Sequence, residues 1–317
     1  WGWTGWVDAK ADFITQRSLN WVWENTLNYN KTFNRDHFVT GLLGYTMQEQ
    51  RLERSNMSAS SFPNDLVHTL NAGKVSGGST TETEWALISY LARATYSYKG
   101  IYMASATLRA DGCSRFGKDN RWGYFPSVAL GWRFTEEEFM QPLTSVLSNG
   151  KLRVSFGQTG NSNIGNRVIS YYSTGNNNEF GGTEQVGVYL SQMGNVDLKW
   201  ETTTEWNVGV DLGFFKNRLN VTAEYFHKVV SDLLSERSLL GFQEVSTIAA
   251  NIGETQSQGF ELTINSTNFN TKNFGWNTDF TFSLYRDKWK TRDESWKPSA
   301  YSVYDSPIRY QYGYLSD

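Results

Sequence analysis

Apolar and polar residues alternate along much of the chain with a period of two, which is typical of β-strands that bury one face. From Trp206 to Phe214 every second residue is apolar, and the residues between them are Asn, Gly or Asp. The alternation resumes at Leu219 after a two-residue link at 216–217, which predicts a β-hairpin. Similar runs lie at 21–29, 88–98, 102–109, 128–134, 152–156, 260–264 and 276–284. The pattern predicts an all-β fold with about eleven or twelve strands of about 9–11 residues each.

The links between these runs alternate in length. Short links are predicted at about 30–36, 99–100, 216–217 and 267–275, with a moderate one at 135–150. Long links, mostly rich in Gly, Ser and Asn, are predicted at about 49–83, 111–123, 158–202, 229–255 and 286–300. Outer-membrane barrels have short turns at the periplasmic end and long loops at the extracellular end. The alternation therefore predicts an antiparallel transmembrane β-barrel in a bacterial outer membrane.

Charged residues within the runs occupy the positions between the apolar ones. An Arg or Lys that faced lipid at the bilayer midplane would cost about 2–4 kcal/mol, so these residues are predicted to face the lumen. The predicted lumen-facing residues are Arg93, Arg109, Arg153, Asp211, Glu224, Glu261 and Asp279. Aromatic residues near the predicted strand ends suit the interface girdles of a barrel. They include Trp21, Tyr29, Tyr98, Trp132, Phe214, Phe215, Trp276 and Tyr285.

Composition narrows the class of protein. Aromatic residues make up 15% of the 317 residues, yet the mean hydropathy is −0.52. No run of 18 apolar residues occurs, which excludes transmembrane helices. A net charge of −3 gives no sign of a nucleic-acid partner. A soluble lectin-like or propeller protein would also be rich in aromatic residues, so composition alone leaves that class open.

Motifs for catalysis or metal binding are absent from the sequence. There is no phosphate-binding glycine loop, no HExxH motif and no paired CxxC motif. The three histidines, His37, His68 and His227, lie far apart and lack ligand spacing, and the single Cys113 has no partner for an internal disulfide. We therefore predict no catalytic residue, no metal site and no cofactor, and we do not expect an enzyme.

The ends of the sequence suggest a fragment. The N-terminus begins Trp1-Gly2-Trp3, without the basic and apolar regions of a signal peptide. The last four residues, 314–317, form a polar stop rather than a terminal aromatic strand. An open sheet in lipid would leave two unpaired edges, so we expect further strands outside these residues.

Several blocks of sequence are similar to one family, the SusC/RagA-type TonB-dependent outer-membrane transporters. The blocks keep the family's order and together span about residues 85–285. They are ATLRADG with SRFG (106–117), GYFPS with GWR (123–133), LRVSFGQTGN (152–161), DLKWETTT through FFKNRL (197–219), and NIGE with GFEL (251–262). Cys113 stands where the family has a small polar residue. Nothing resembles the family's plug domain or TonB box, so residues 1–317 are expected to be a partial barrel domain.

The resemblance implies a plugged barrel of about 22 strands and energised import of oligosaccharides or oligopeptides. It implies a SusD-like surface lipoprotein as a lid, the TonB complex acting through the absent plug, and outer-membrane lipid around the wall. Aromatic and basic residues in the extracellular loops would then contact substrate or partner, although packing of the loops on each other explains them equally well. These residues are Arg115, Phe116, Trp122, Tyr171, Tyr172 and Tyr189.

Two other classes remain open from the residues alone. A passive porin would be a closed barrel without a plug or a partner. A soluble all-β carbohydrate-binding protein or glycosidase would be extracted without detergent, and a glycosidase would need two carboxylates in one cleft. The alternation of link lengths and the outward apolar faces favour the membrane barrel.

Overall fold

A computed structural model of the chain describes residues 9–63, 69–180, 183–239 and 244–293. These residues form fourteen β-strands and three short 3₁₀ segments, Leu70–Ala72, Phe134–Glu136 and Glu138–Leu143. The strands are β1 (Lys10–Phe33), β2 (His37–Ser60), β3 (Lys74–Tyr98), β4 (Tyr102–Cys113), β5 (Trp122–Trp132), β6 (Leu147–Asn161), β7 (Tyr171–Phe180), β8 (Thr183–Gln192), β9 (Glu201–Phe214), β10 (Leu219–Ser231), β11 (Leu234–Ser238), β12 (Thr247–Asn251), β13 (Glu254–Asn270) and β14 (Gly275–Thr291). Within the described ranges, no helix has the length and apolar character needed to cross a membrane.

Ten strands form one sheet in the order β1-β2-β3-β4-β5-β6-β9-β10-β13-β14. The other four form two separate hairpins, β7–β8 and β11–β12. The pairings from β4 to β14 that the structure details are all antiparallel. The predicted all-β antiparallel fold is confirmed. The prediction of about eleven or twelve strands lies between the ten strands of the sheet and the fourteen strands of all described residues, because two hairpins lie inside segments that were predicted to be loops.

The chain divides into two compact units. The first comprises Trp1–Trp23 and Thr46–Leu87, and its described part contains portions of β1, β2 and β3. Within it, the Arg51 guanidinium lies 3.2 Å from Glu53 and 3.0 Å from Glu82. Trp85 donates a hydrogen bond from its indole nitrogen to Gln50 Oε1 at 2.9 Å. These polar contacts lie in the parts of β2 and β3 that extend beyond the apolar alternation.

That continuation explains where the predicted strand lengths were wrong. β1, β2 and β3 have 24, 24 and 25 residues, so most of the long link predicted at 49–83 is strand, with a connection of 61–73. The sequence pattern located the apolar part of each strand, whereas the backbone ladder extends further with polar side chains. The link predicted at 286–300 was also too long, since β14 reaches Thr291. Residues 294–300 and the chain end at 314–317 lie outside the described residues.

The second unit comprises Glu24–Tyr45 and Ile88–Asp317. At one end of its strands lie the connections 99–101, 133–146, 215–218 and 271–274, and at the other end lie 114–121, 162–200 and 232–253. At Lys99 and Gly100, φ is +51° and +68°, as a type I′ turn requires. The short link predicted at 99–100 is a connection of 99–101, and the β-hairpin predicted at 216–217 forms with a longer connection of 215–218. The predicted alternation of link lengths holds except at 114–121, which is shorter than 133–146.

The register from β6 to β14 separates the residues into two faces. One row runs across five strands as Leu152, Val210, Ala223, Leu262 and Phe282. The neighbouring row, one residue along each strand, belongs to the other face and is mostly polar. Large side chains of the apolar face are exposed, for example Leu284 at 64%. An apolar face of this extent on a soluble protein would be a site of association, and it suits contact with lipid.

Aromatic residues mark several strand ends of the second unit, as predicted. Tyr98, Trp132 and Phe214 are the last residues of their strands, and Trp276 is the second residue of β14. Tyr285 lies inside β14, because that strand is longer than predicted, and Trp21 and Tyr29 lie inside β1 for the same reason.

Candidate functional site: the polar face and the loops at one end of the sheet

The polar face contains a charge network centred on Arg153 of β6. Its Nε donates to Asp211 Oδ2 at 2.8 Å, and Nη2 donates to Asp211 Oδ1 at 3.2 Å. Glu224 Oε2 lies 3.5 Å from Nη2. Asp211 also accepts a hydrogen bond from Thr222 at 3.1 Å, and Asn207 donates to Glu224. Three adjacent strands, β6, β9 and β10, thus share one hydrogen-bonded network.

Gly209 makes room for this network. It is the register partner of Arg153 on β9, and a β-carbon built on it would lie 3.0 Å from Arg153 Nη2. The guanidinium therefore lies across the glycine to reach Asp211 and Glu224. Paired, hydrogen-bonded charges of this kind avoid most of the cost of removing each charge from water.

A second network lies on β3 and β4. The Nε of Arg109 donates to Asp111, with both carboxylate oxygens at 2.8 Å, and Nη2 donates to Ser89 at 3.0 Å. Arg93 donates from Nε to Thr107 at 3.0 Å. The register of β4, β5 and β6 places Thr107 and Arg109 on the same face as Arg153.

The predicted lumen-facing acids occupy this face on later strands. Glu224 on β10 is directly opposite Glu261 on β13, and Asp279 on β14 is opposite Asn265. Like charges directly opposite each other repel, and Arg153 offsets one of the two glutamates. All seven predicted residues therefore lie on one face, with the three arginines on β3–β6 and the four acids on β9–β14. That this face lines a lumen stays a prediction.

Small side chains leave a groove of about 500 Å³ on this face. Its lining includes Met103, Ser105, Gly131, Arg153, Ser155 and Asn207. The groove is open, and its lining combines polar side chains with apolar ones such as Leu130 and Val154, so it suits contact with a chain that carries both kinds of group.

The end of the strands with the connections 114–121, 162–200 and 232–253 is the long-loop end. Two of these connections pack around one aromatic cluster. Phe116 is 1% exposed and lies 5.2 Å, ring centre to ring centre, from Trp200. Phe125 of β5 lies 5.4 Å from Trp200, ring centre to ring centre, in an edge-to-face arrangement. Leu198 and Cys113 complete the cluster with no exposed surface. Phe116, predicted as a contact residue, is thus a packing residue, because its ring has no surface left for a ligand.

The other predicted contact residues differ in setting. Arg115 is half-buried and donates to the Ser162 carbonyl oxygen at 3.4 Å, and burial lowers the pKa of its guanidinium. Trp122 begins β5 rather than lying in a loop, and it stacks on Tyr90 at 6.0 Å while covering Gly112. The exposed rings are those of the β7–β8 hairpin: Tyr171 at 42%, Tyr172 at 69% and Tyr189 at 36%.

Hydrogen bonds join the two long connections to each other. The Asn251 side chain accepts from the Lys199 amide at 2.9 Å, and donates to the carbonyl oxygens of Lys199 and Asp232, each at 2.8 Å. Arg167 pairs with Glu236 at 2.8 Å. Sequence reasoning missed Asn251 and Trp200 as structural centres, because each joins segments about 50 or more residues apart. The only signal was that both lie in the blocks that resemble the SusC/RagA family.

The described residues contain no group of three or more metal-ligating side chains. The site thus consists of a polar face with paired charges and an end where connected loops expose tyrosines. The interactions that it offers are hydrogen bonding, charge pairing and aromatic contact.

Comparisons with known proteins extend this description. A family model described as "TonB dependent receptor-like, beta-barrel" matches residues 4–313. TonB-dependent receptor P39 of Formosa agariphila is 41% identical over 264 residues, which are 82% of this chain and 25% of that protein. TonB-dependent receptor SusC of Bacteroides thetaiotaomicron is 32% identical over 275 residues, 85% of this chain and 27% of that protein. The chain thus spans about a quarter of the length of these relatives.

A solved structure of the RagAB peptide transporter matches with a TM-score of 0.83 at 23% identity. The match covers 94% of this chain and 33% of that one. At this identity the match shows that the two proteins share a fold.

Proposed function

Because the chain belongs to the TonB-dependent receptor-like β-barrel family, we propose that it forms part of the wall of an outer-membrane channel that actively imports large nutrients. The family membership predicted from the blocks of sequence is confirmed. It places the chain in the bacterial outer membrane. The gate of the channel would be a plug domain formed outside residues 1–317.

The division of the sheet into two faces is the observation that most supports this proposal. One face presents exposed apolar side chains, such as Phe282 and Leu284, to the surroundings. The other face carries Arg153, Asp211 and Glu224 in a hydrogen-bonded network. Charges are costly toward lipid and inexpensive toward a polar interior. A wall between lipid and a polar conduit needs both faces.

We propose oligosaccharides or oligopeptides as the substrates. The likeness to the RagAB peptide transporter supports a peptide, and the resemblance to SusC/RagA-type transporters supports either class. The exposed tyrosines of the β7–β8 hairpin suit stacking on a sugar ring or packing on a protein partner. A SusD-like surface lipoprotein would bind this loop end, and the TonB complex would act through the plug.

Uptake in whole cells tests the proposal. Cells that produce the full-length protein together with the SusD-like lipoprotein proposed as its lid would receive fluorescently labelled oligosaccharide and oligopeptide pools. We expect accumulation that requires both the gene for this protein and an intact TonB, and that stops when the proton gradient is collapsed. The matched control is the same strain with TonB deleted.

Two results would count against the proposal. Uptake that continues without TonB and without a proton gradient would indicate a passive porin. Recovery of the full-length protein in a detergent-free extract would indicate a soluble carbohydrate-binding protein. Either result would remove active import and leave the fold unchanged.

A further inference from the structure

A cleft of about 480 Å³ lies beside the aromatic cluster, between the connection 114–121 and two stretches of the connection 162–200. Its second wall is formed by residues 166–169 and 196–197. The volume falls within the range of small-molecule sites. It is separate from the groove on the polar face, since the two share no lining residue.

One hydrogen bond and one close backbone approach hold the two walls of the cleft together. Asn120 donates from Nδ2 to the Asp197 carbonyl oxygen at 3.1 Å. Gly117 approaches the other wall so closely that a β-carbon there would lie 2.3 Å from the Val196 carbonyl oxygen. Phe116, buried beneath, fixes the connection to Trp200. A site with walls fixed in this way loses little entropy when a ligand binds.

The charges in the lining favour an anion. Three cations, Arg115, Lys118 and Arg121, face two acids, Asp119 and Asp197, so the lining has one excess positive charge by residue type. Lys118 and Arg121 are exposed, and neither forms an ion pair with any residue that the structure describes. Guanidinium and ammonium groups recognise carboxylates through charge-assisted hydrogen bonds.

We propose that this cleft binds a carboxylate-bearing sugar, a sugar acid, within the imported substrate. Lys118 and Arg121 would bind the carboxylate. Asp119 and Asp197 would accept hydrogen bonds from sugar hydroxyls, which an acidic peptide side chain does not bring to them. The proposal rests on the proposed import function, because it names the substrate class that the importer prefers.

Calorimetry on the full-length transporter in detergent tests this proposal. The probes are trigalacturonate, its fully methyl-esterified neutral form, and tri-aspartate. The double variant Lys118→Gln, Arg121→Gln removes the two exposed cations. A matched control, Lys216→Gln with Lys272→Gln, removes the same charge from turns at the opposite end of the strands. Because all four lysine and arginine side chains are exposed, we expect every variant to fold.

We expect trigalacturonate to bind the wild type at least about tenfold more tightly than its ester. The cleft variant should lose about fivefold or more of that affinity, as two partly screened charge contacts would give, while the control should match the wild type. Equal affinity for the acid and the ester, an unchanged cleft variant, preference for tri-aspartate, or no binding of any probe would overturn the proposal. TonB-dependent uptake of neutral oligosaccharides would show that import itself still stands.

Discussion

The guanidinium of Arg153 lies across Gly209, its register partner on β9, with Nη2 3.0 Å from where a β-carbon would stand. This relationship lets Arg153 reach both Asp211 and Glu224. Any side chain at position 209 must displace the guanidinium. The network therefore depends on a residue that contributes no polar group to it.

Gly209→Val should weaken the network. We expect the loss of the contacts to Asp211 and Glu224 to lower the free energy of unfolding by about 1–2 kcal/mol. Urea unfolding of the full-length protein in micelles measures the change. Gly275→Val is the matched control, because a β-carbon at Gly275 meets nothing within 4 Å. An equal effect at both glycines would show that the backbone, and not Arg153, responds to the substitution.

Phe116→Ala should loosen the loop end. Removing a buried aromatic ring leaves a cavity, and such changes cost about 3–5 kcal/mol in well-packed cores. We expect faster hydrogen exchange at 113–122 and 198–201, and faster proteolysis of the 114–121 connection. Phe139→Ala is the control, since Phe139 is 65% exposed. If the exchange rates of the two variants agree, the aromatic cluster does not hold the loops.

Asn251→Ala should separate the two long connections. The side chain makes hydrogen bonds at 2.9, 2.8 and 2.8 Å to backbone groups of Lys199 and Asp232. Leaving such groups unpaired costs about 1–3 kcal/mol. The amide of Lys199 should then exchange faster by a corresponding factor. Asn277→Ala, whose side chain forms no hydrogen bond among the described residues, should leave that amide unchanged.

Glu137 predicts a pH dependence of stability. Hydrogen bonds donated by the Tyr102 hydroxyl and the Trp132 indole lower the pKa of its carboxyl group, with Tyr102 the larger cause. A lowered pKa in the folded state contributes stability that is present above the ordinary glutamate pKa of about 4.3 and is lost as the pH falls through the lowered value. In Tyr102→Phe, the pKa of Glu137 should return toward its ordinary value.

Thermal melts of the wild type and of Tyr102→Phe from pH 7 to pH 3 would measure this effect. We expect the difference in Tm to be constant above about pH 5 and to shrink below it. Tyr124→Phe is the control, because Tyr124 is 64% exposed and its hydroxyl has no partner among the described residues. A difference that stays constant down to pH 3 would contradict the linkage to Glu137.

The sequence predicted the sheet better than the loops, for a physical reason. In β9 and β10 each residue's face follows from its parity, so Asp211 and Glu224 could be assigned to the polar face without knowing the register. The hairpins β7–β8 and β11–β12 were predicted as loops, because glycine and polar residues interrupt β7 and β8, and β11 and β12 have five residues each. The ion pair of Arg167 with Glu236, which joins the connection before β7 to β11, is likewise not reported by sequence periodicity.

The packing role of Phe116 could not be predicted from the sequence either. An aromatic residue in a polar segment suits either a binding surface or a small core, and its own neighbours in sequence do not distinguish the two. Its partner, Trp200, lies 84 positions later in the numbering, at the other end of a long connection. Only the folded chain brings them together.

The shared anchoring of the loops also bears on how members of this family could be recombined. Trp200 packs on Phe116 and Phe125 and donates its indole hydrogen to the Arg121 carbonyl oxygen. A chimera that exchanged the 114–121 segment alone would therefore lose the contacts of Trp200 with Phe116 and with the Arg121 carbonyl oxygen. Exchanging the connections 114–121, 162–200 and 232–253 together, as one cassette, would keep the contacts between them. Diversification of such transporters would then proceed by whole cassettes, or at hairpin tips that no other loop touches.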